Sequence, residues 1–383
     1  MLIDIMLWML AAGLWGMFGY HALLAAWGWR LQPGPPPDES LRFAVLIPAH
    51  NEEISLGKLL DSLRSAHYPS VQLLVLVVAD HCTDATARVA REAGVACLER
   101  ASGPRGKAAA LSEGIAWLRT RNERFDVLAF FDADNIVDPA FFQYAAGRIA
   151  AGAPVVQGHV GIANHDVSLF ARLNYISAMV VNRFKELARS QAGLTCQLRG
   201  HGMAFRRDLV DRFDWQGDSL VEDKGMVVRL VQAGERVVWE DRAKVESVLP
   251  VSLQEAAAQR RRWAGGKSSV GKASVRALLR KAFVDRDAVA LDLAFDFLMP
   301  SYAVQLSLVF LAVAVAALFG GLSSASFQAL LVLMFAYLLY FYLGSRRGGV
   351  PGRVFMSFFM APFYILWRTW IHLTRHSGTR RWR

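Results

Sequence analysis

Asp132 and Asp134 stand one residue apart, directly behind the apolar run Val127 to Phe131. Two carboxylates leaving one strand end together can hold a hard cation, Mg²⁺ or Mn²⁺, against a diphosphate, and that cation neutralises the charge developing on a departing diphosphate. The same residue types also make an ordinary solvated turn, so the pair alone does not choose between the two. Other polar residues follow apolar runs in the same way. Phe43 to Pro48 leads into Ala49-His50-Asn51-Glu52-Glu53, and Leu73 to Ala79 leads into Asp80-His81-Cys82-Thr83-Asp84. Lys107, behind Gly106 and ahead of a helical stretch, offers a point charge for phosphate. Glu222 and Asp223 open another helical stretch, where acids also complement the helix dipole. Gln259, Arg262 and Trp263 share a basic, aromatic helix that suits a bidentate grip on phosphate or a membrane surface.

These residues need a framework that carries them to one place. Between about 41 and 265 apolar runs of strand length alternate with helical patterns: strands over 43–48, 73–79 and 127–131, helices over 53–66, 83–93 and 106–121. Leu56, Leu59, Leu60 and Leu63 fall on one helical face, and Thr83 is the expected cap of the second helix. This βαβ rhythm predicts a mostly parallel sheet covered by helices, with ligands bound beyond the carboxyl ends of its strands. No GxGxxG follows the first strand and no GxxxxGK[ST] occurs, which removes the dinucleotide oxidoreductase and P-loop readings. Cys82, Cys97 and Cys196 are scattered, without metal-binding spacing, and read as small buried hydrophobes in a reducing compartment.

The remaining chain reads as membrane-associated. Apolar residues make up 54% of the sequence, and the excess lies at the two ends. Residues 5–29 form a first span, 298–319 and 325–344 two more, joined by the uncharged turn Gly320-Gly321…Ser324. The net charge of +10 raises the question of nucleic acid. Its basic residues, however, flank apolar stretches (Arg280, Lys281, Arg346, Arg347, Arg353 and the tail from Arg375 to Arg383), a placement that answers anionic lipid headgroups and a positive interior. The sequence therefore divides into a transmembrane helix (1–30), a Pro-rich stiff linker (31–40), a cytosolic domain (41–267), an interfacial connector (268–297), two transmembrane helices (298–344), and a basic loop, interfacial or re-entrant helix and basic tail (345–383).

Taken in order, IPAHNEE, VADHCTD, the GKAAAL helix, FFDADN, VEDKGMVVRL and QRRRW resemble the membrane-bound family-2 inverting glycosyltransferases, the group of the cellulose, hyaluronan and poly-N-acetylglucosamine synthases. The resemblance covers residues 43–267 and implies a GT-A fold, a Rossmann-like α/β domain that binds a nucleotide sugar, here flanked by transmembrane helices. It implies that Glu52 and Asp80 contact the uridine of the donor, beside Pro48 and Ala49 of the same strand end. Asp132 is then the donor-contacting acid, Asp134 the metal ligand and Asp223 the general base, with Lys107, on its own placement, a candidate contact for donor phosphate. Gln259, Arg262 and Trp263 cradle the diphosphate and the acceptor end. Two departures matter. A single acid, Asp80, stands where relatives carry a pair, and Arg199-Gly200-His201-Gly202-Met203 replaces a GTG or GNG, which makes His201 an acceptor-side candidate and leaves acceptor preference open.

One base and no protein nucleophile imply a single displacement with inversion, yielding a β-linkage from an α-linked donor, with UDP the expected nucleotide. A growing polysaccharide is the favoured acceptor and a membrane lipid the alternative; with so few spans, a polymerase would need a dimer or an export partner. Non-enzymatic nucleotide binding at a membrane is the third reading. The charge rule also places the basic tail on the side of the cytosolic domain. A single cysteine at position 377 should accordingly be labelled only from the cytosolic side of sealed vesicles, and labelling from outside would overturn this topology.

Overall fold

The structure is a computed structural model that describes residues 2–121, 123–213, 215, 222–249 and 274–361. A first helix, α1 (Leu2–Gly28), precedes the sequence β1 (Phe43–Ala49), α2 (Leu56–Arg64), β2 (Leu73–Asp80), α3 (Thr86–Glu92), β3 (Ala96–Arg100), α4 (Lys107–Thr120), β4 (Val127–Phe130), β5 (Asn135–Val137), α5 (Phe141–Ala150) and β6 (Val155–Ile162). Then α6 (Leu169–Val181) runs through a π-helical segment (Asn182–Leu187) into α7 (Ala188–Gln191). The domain continues with β7 (Met203–Arg206), α8 (Arg207–Arg212), α9 (Glu222–Gln232) and β8 (Val237–Ser247). After it come α10 (274–284), α11 (Ala288–Leu298), α12 (Tyr302–Phe319), α13 (Ala325–Arg347) and the short α14 (Gly352–Phe355).

The strands form one eight-stranded sheet in the order β3-β2-β1-β4-β7-β6-β8-β5. β1 shows why the layers form. Its residues are all buried, and because side chains alternate across a pleat, Ala44 and Leu46 enter one core while Phe43, Val45 and Ile47 enter the other. The first core is closed by α4, α9, α10 and α11, the second by α2, α3 and α5. The sheet is mixed rather than mostly parallel: β7 runs antiparallel between β4 and β6, and β5 antiparallel to β8. The cause is the route back from α7, which returns the chain to the middle of the sheet from the far end, with Gly202 N–H donating to Phe130 O at 2.8 Å. The second helix also starts later than expected. Thr83 does not cap it; Thr83 N–H donates to Asn51 Oδ1 at 2.8 Å, and Asp84 Oδ1 accepts from Thr86 N–H at 3.0 Å.

Among the described residues three helices are long and apolar enough to cross a membrane: Asp4–Gly28, Tyr302–Phe319 and Ala325–Arg347. They pack on each other and on α6 through Leu14, Leu306, Val309, Leu333, Tyr337 and Met179. Asp4, at the start of α1, accepts from Ser326 Oγ at 2.8 Å. At the opposite end the Arg347 guanidinium lies 4.2 Å above the Trp29 ring. The ends of α1 and α13 that carry basic residues thus lie together. Residues 362–383, including the basic tail, fall outside the described residues.

Two segments are tied to the domain more tightly than a linker or a surface connector requires. α11 inserts Ala290, Leu293 and Ala294 into the first core, although Phe295 and Leu298 stay exposed. The Pro-rich stretch is strapped onto α5 and β8. Pro35 O accepts from Arg242 Nη2 at 2.9 Å, and Asp38 N–H donates to Gln143 O at 3.0 Å. A Cβ on Gly147 would come within 2.1 Å of Pro36 O. Alanine in a helix interior is ordinarily worth up to about 1 kcal/mol over glycine. At position 147 the backbone collision should win, so Gly147→Ala is expected to destabilise the solubilised protein by about 1–3 kcal/mol. Denaturant unfolding checks this, and an unchanged or higher midpoint would show that the linker is not seated there.

Candidate active site at the parting of the central strands

The site begins where two strands separate. β1 pairs with β4 only from Phe43↔Val127 to Leu46↔Phe130, yet continues beside β2 as far as Ala49↔Ala79. Pro48, which has no N–H to donate, falls where β1 has lost one of its two partners, and Pro48 and Ala49 are both buried. Strand order reverses here, β2 and β3 lying to one side and β4 to the other, so the loops after β1 and β4 diverge around a crevice.

The loop after β4 carries Asp132 and Asp134, and Asn135 shapes it. Only 1% exposed, Asn135 accepts from Asp132 N–H at 3.0 Å through Oδ1 and donates from Nδ2 to Asp134 Oδ1 at 3.2 Å. This fixes the backbone at Asp132 and one oxygen of Asp134. Burial pushes the Asp134 carboxyl up to about 7, helped by the nearby charges of Asp132 and Glu52 and opposed by Lys107. Across the crevice, Glu52 N–H donates to the buried Thr86 hydroxyl at 2.8 Å, and Ser55 Oγ donates to the Glu52 carboxylate. Glu53 and Asp84 lace the ends of β1 and β2 reciprocally, Glu53 N–H to Asp84 Oδ2 at 3.1 Å and Ala85 N–H to Glu53 Oε2 at 2.9 Å.

Asp80, for which the resemblance implies a donor contact, is bonded within the protein. It is 0% exposed, and its carboxylate accepts from Arg100 Nη1, from Gly106 N–H at 3.0 Å and contacts His81 Nδ1 at 2.8 Å. Its oxygens are thus engaged within the protein, and Asp80 clamps the end of β3 to the start of α4. The clamp positions Lys107, the first residue of α4, behind Gly106 at φ +129°. Lys107 Nζ reaches Asp132 Oδ1 at 2.5 Å and Gly200 O at 2.9 Å.

The third wall is the segment from Thr195 to Gly202. Gln197 N–H donates to Glu186 Oε2 at 2.8 Å, Arg199 N–H to Gln157 Oε1 at 2.8 Å, and Gln157 Nε2 in turn to His201 O at 3.1 Å. Gly200 and Gly202 adopt φ of +82° and +61°, and a Cβ on Gly202 would meet Val245 at 2.4 Å. The segment thereby sets His201 near Asp132 and Lys107. Its Nδ1 is buried with no hydrogen-bond partner among the described residues. Asp223, at the start of α9, is within electrostatic reach of Lys107 and Arg199. Burial raises its carboxyl, although Lys224 N–H donates to its Oδ1 at 2.8 Å.

Glu52, Lys107, Asp132, Asp134, His201 and Asp223 are thus brought together, whereas Asp80 is set behind them. Gln259, Arg262 and Trp263 lie outside the described residues. Asn135, Gln157, Glu186 and Gln197 were missed in the sequence; only Asn135, next to the acid pair in a turn, carried a local signal there. No group of three or more His, Cys, Asp or Glu side chains that could hold a metal occurs among the described residues. The oxygen donors of Asp132 and Asp134 nevertheless fit a hard cation whose other ligands come from a substrate phosphate, and the crowding of acid around the buried Asp134 carboxyl is what such a cation relieves.

Burial, reinforced by Lys107 and Arg199, lowers His201 to about 4 against the opposing pull of Asp132. The folded protein therefore refuses a proton that the unfolded chain binds near pH 6.5. The stability this neutral imidazole contributes is present above that pH and is lost as pH falls toward about 4. Melting temperatures of the solubilised protein should thus fall less steeply for His201→Gln than for wild type across that window, and parallel curves would refute the assignment.

Comparison with known proteins agrees with this geometry. The family pattern described as glycosyltransferase like family 2 matches residues 39–266. The probable glycosyltransferase YdaM of Bacillus subtilis is 25% identical over 278 residues, which cover 67% of this chain and 64% of that protein. A beta-monoglucosyldiacylglycerol synthase of Nostoc is 27% identical over 273 residues, covering 66% of this chain and 55% of that protein. The chain thus matches somewhat under two thirds of the length of these relatives. In fold it is similar to a mannosyltransferase from Pyrobaculum calidifontis solved with GDP-mannose and Mn²⁺, with a TM-score of 0.59 at 20% identity over 91% of this chain and 99% of that one. With its GT-A-like mixed sheet and the family pattern spanning more than half its length, the chain belongs to the glycosyltransferase like family 2.

Proposed function

We propose that the protein is an inverting glycosyltransferase that moves a sugar from a nucleotide-diphosphate donor onto a lipid acceptor at the membrane in which its helices sit. The observation that carries this reading is the convergence of Asp132, Asp134, Lys107 and Asp223 at the parting of β1 and β4. Asp132 and Asp134 would hold Mg²⁺ or Mn²⁺, which when bound neutralises charge on the leaving diphosphate. Lys107 supplies a further positive charge beside Asp132, and Arg262, by family resemblance, a bidentate one. Asp223 accepts the proton of the acceptor hydroxyl as its oxygen attacks the anomeric carbon and the bond to diphosphate breaks. Its burial disfavours the charged carboxylate and so makes it a stronger base than a surface aspartate. No protein nucleophile is required, and the configuration inverts.

The sequence motifs favour a growing polysaccharide. One observation turns the balance toward lipid: the relatives include a beta-monoglucosyldiacylglycerol synthase. The cluster of Arg30, Arg346 and Arg347 at one end of the spans supports an integral protein of the cell membrane with its catalytic domain on the cytosolic side.

Membranes containing the protein, incubated with Mn²⁺ and labelled UDP-glucose, UDP-N-acetylglucosamine or GDP-mannose, test the reading. Label is expected in the lipid extract. Label in insoluble polymer would favour the polysaccharide acceptor, and no incorporation from any donor would refute the activity. Asp223→Asn and Asp134→Ala should each lower transfer at least about 100-fold while the protein still inserts and folds; near-normal turnover by Asp223→Asn would remove it as the base.

A further inference from the structure

A cluster of charge lies between the sheet and the membrane helices. Arg189 of α7 is 0% exposed. Its Nε is 3.1 Å from Asp292 Oδ2 and its Nη1 2.9 Å from Asp296 Oδ2, both on α11. These contacts are close but bent away from hydrogen-bond alignment, since the same atoms have no aligned partner. Arg189 Nη2 does donate to the Tyr20 hydroxyl of α1 at 2.8 Å, and that hydroxyl donates to Asp292. Lys185 Nζ sits 2.6 Å from Asp296 Oδ1. One more donor completes Asp296: Gln197 Nε2 at 2.8 Å.

Gln197 is where this cluster meets the site. Its backbone N–H is held by Glu186, the next peptide but one by Gln157, and the following carbonyls, Gly200 O and His201 O, by Lys107 and Gln157. A chain of contacts therefore runs from a membrane-crossing helix, through Tyr20, Arg189 and Asp296, to the wall that carries His201. Buried ion pairs add little net stability over well-packed apolar residues, because desolvation offsets attraction; what they can impose is one arrangement of the elements they join. Here those elements are α1, the π-helical turn with α7, and α11, which leads directly into α12.

We propose that Asp296 and Gln197 are positioning residues through which the docking of α1 onto α7, linked to α11 by Tyr20 and Arg189, sets the 197–201 wall beside Lys107 and Asp132. The acceptor side of the site is then complete only when the membrane helices are docked. Its kinetic consequence rests on the glycosyltransferase reading; its structural consequence does not.

Hydrogen–deuterium exchange on the full chain in detergent micelles tests the structural part, with Gln197→Leu removing the tether at the site and Tyr20→Phe removing one hydroxyl within α1. Both variants should speed exchange in the 195–202 peptide by about tenfold while the 43–49 peptide of β1 is unchanged. Unchanged exchange in 195–202 for Tyr20→Phe, or faster exchange across all peptides, overturns the proposal. In lipid nanodiscs both variants should raise the acceptor KM about fivefold or more and leave the donor KM within about twofold. Equal rises in both constants would mark a merely structural role and also overturn it. If wild type transfers no sugar yet the exchange pattern appears, the activity reading fails and the positioning inference stands.

Discussion

β4 pairs with β1 for four residues, closed by Phe131 N–H donating to Leu46 O at 3.3 Å, while β1 goes on beside β2 to Ala49. Nearly every feature of the site depends on this early parting. It opens a crevice at the reversal of strand order, and it lets the loop with Asp132 and Asp134 turn one way and the loop with Glu52 the other. The short reach of β4 follows from what lies beside it: β7 pairs antiparallel over Val127 to Phe130, and Gly202 N–H takes the Phe130 carbonyl at the top of the ladder. An eight-stranded mixed sheet is the result of inserting β7, and the insertion brings His201 to the same end of the sheet as the acid pair.

The residues that touch a substrate in this reading are few, and they are held by a larger set of buried polar groups. Asp80 with Arg100 fixes the start of α4, and so where Lys107 stands. Asn135 shapes the acid loop from below, and Thr86 holds the backbone of Glu52. Glu186 and Gln157, both at 1% exposure or less, pin the wall that ends in His201. Each of these groups is shielded from water and engaged in hydrogen bonds or ion pairs, so none can move without leaving a polar atom unsatisfied. The acids and the lysine are therefore kept close to one another by costs incurred elsewhere in the fold.

The coupling to the membrane has the same character. The Pro-rich strap ties the stretch after α1 to α5 and β8, and the cluster around Arg189 ties α1 and α11 to α7, so the domain meets the helices through several separate contacts. On the proposed lipid acceptor, such contacts would set the height of the site above the bilayer, and misplacing reacting groups by about 1 Å can lower rates about 100-fold.

Much of this was legible in the residues themselves. Strand and helix periods in β1, β2, β4, α2 and α4, the acid pair behind Phe131, the lysine after Gly106 and the long apolar spans all depend on neighbours a few residues away, which is what a linear reading senses. The motif order through QRRRW also carried the family. Other features depended on contacts between distant parts of the chain. That Asp80 clamps Arg100 is decided by a partner 20 residues on, in a strand whose pattern was too short to read. The antiparallel β7 and the burial of α11 arise from packing across more than 70 residues, which carries Leu278, Leu293 and Ala294 of the segment read as an interfacial connector into the core. The pairing of Arg189 with Tyr20 spans 169 residues. Composition and spacing determined which chemical groups the protein has and which strand ends present them. Only the tertiary structure decided which carboxylates are exposed to chemistry and which are spent holding it in place, because burial and charge pairing are properties of the assembled neighbourhood and not of the residue.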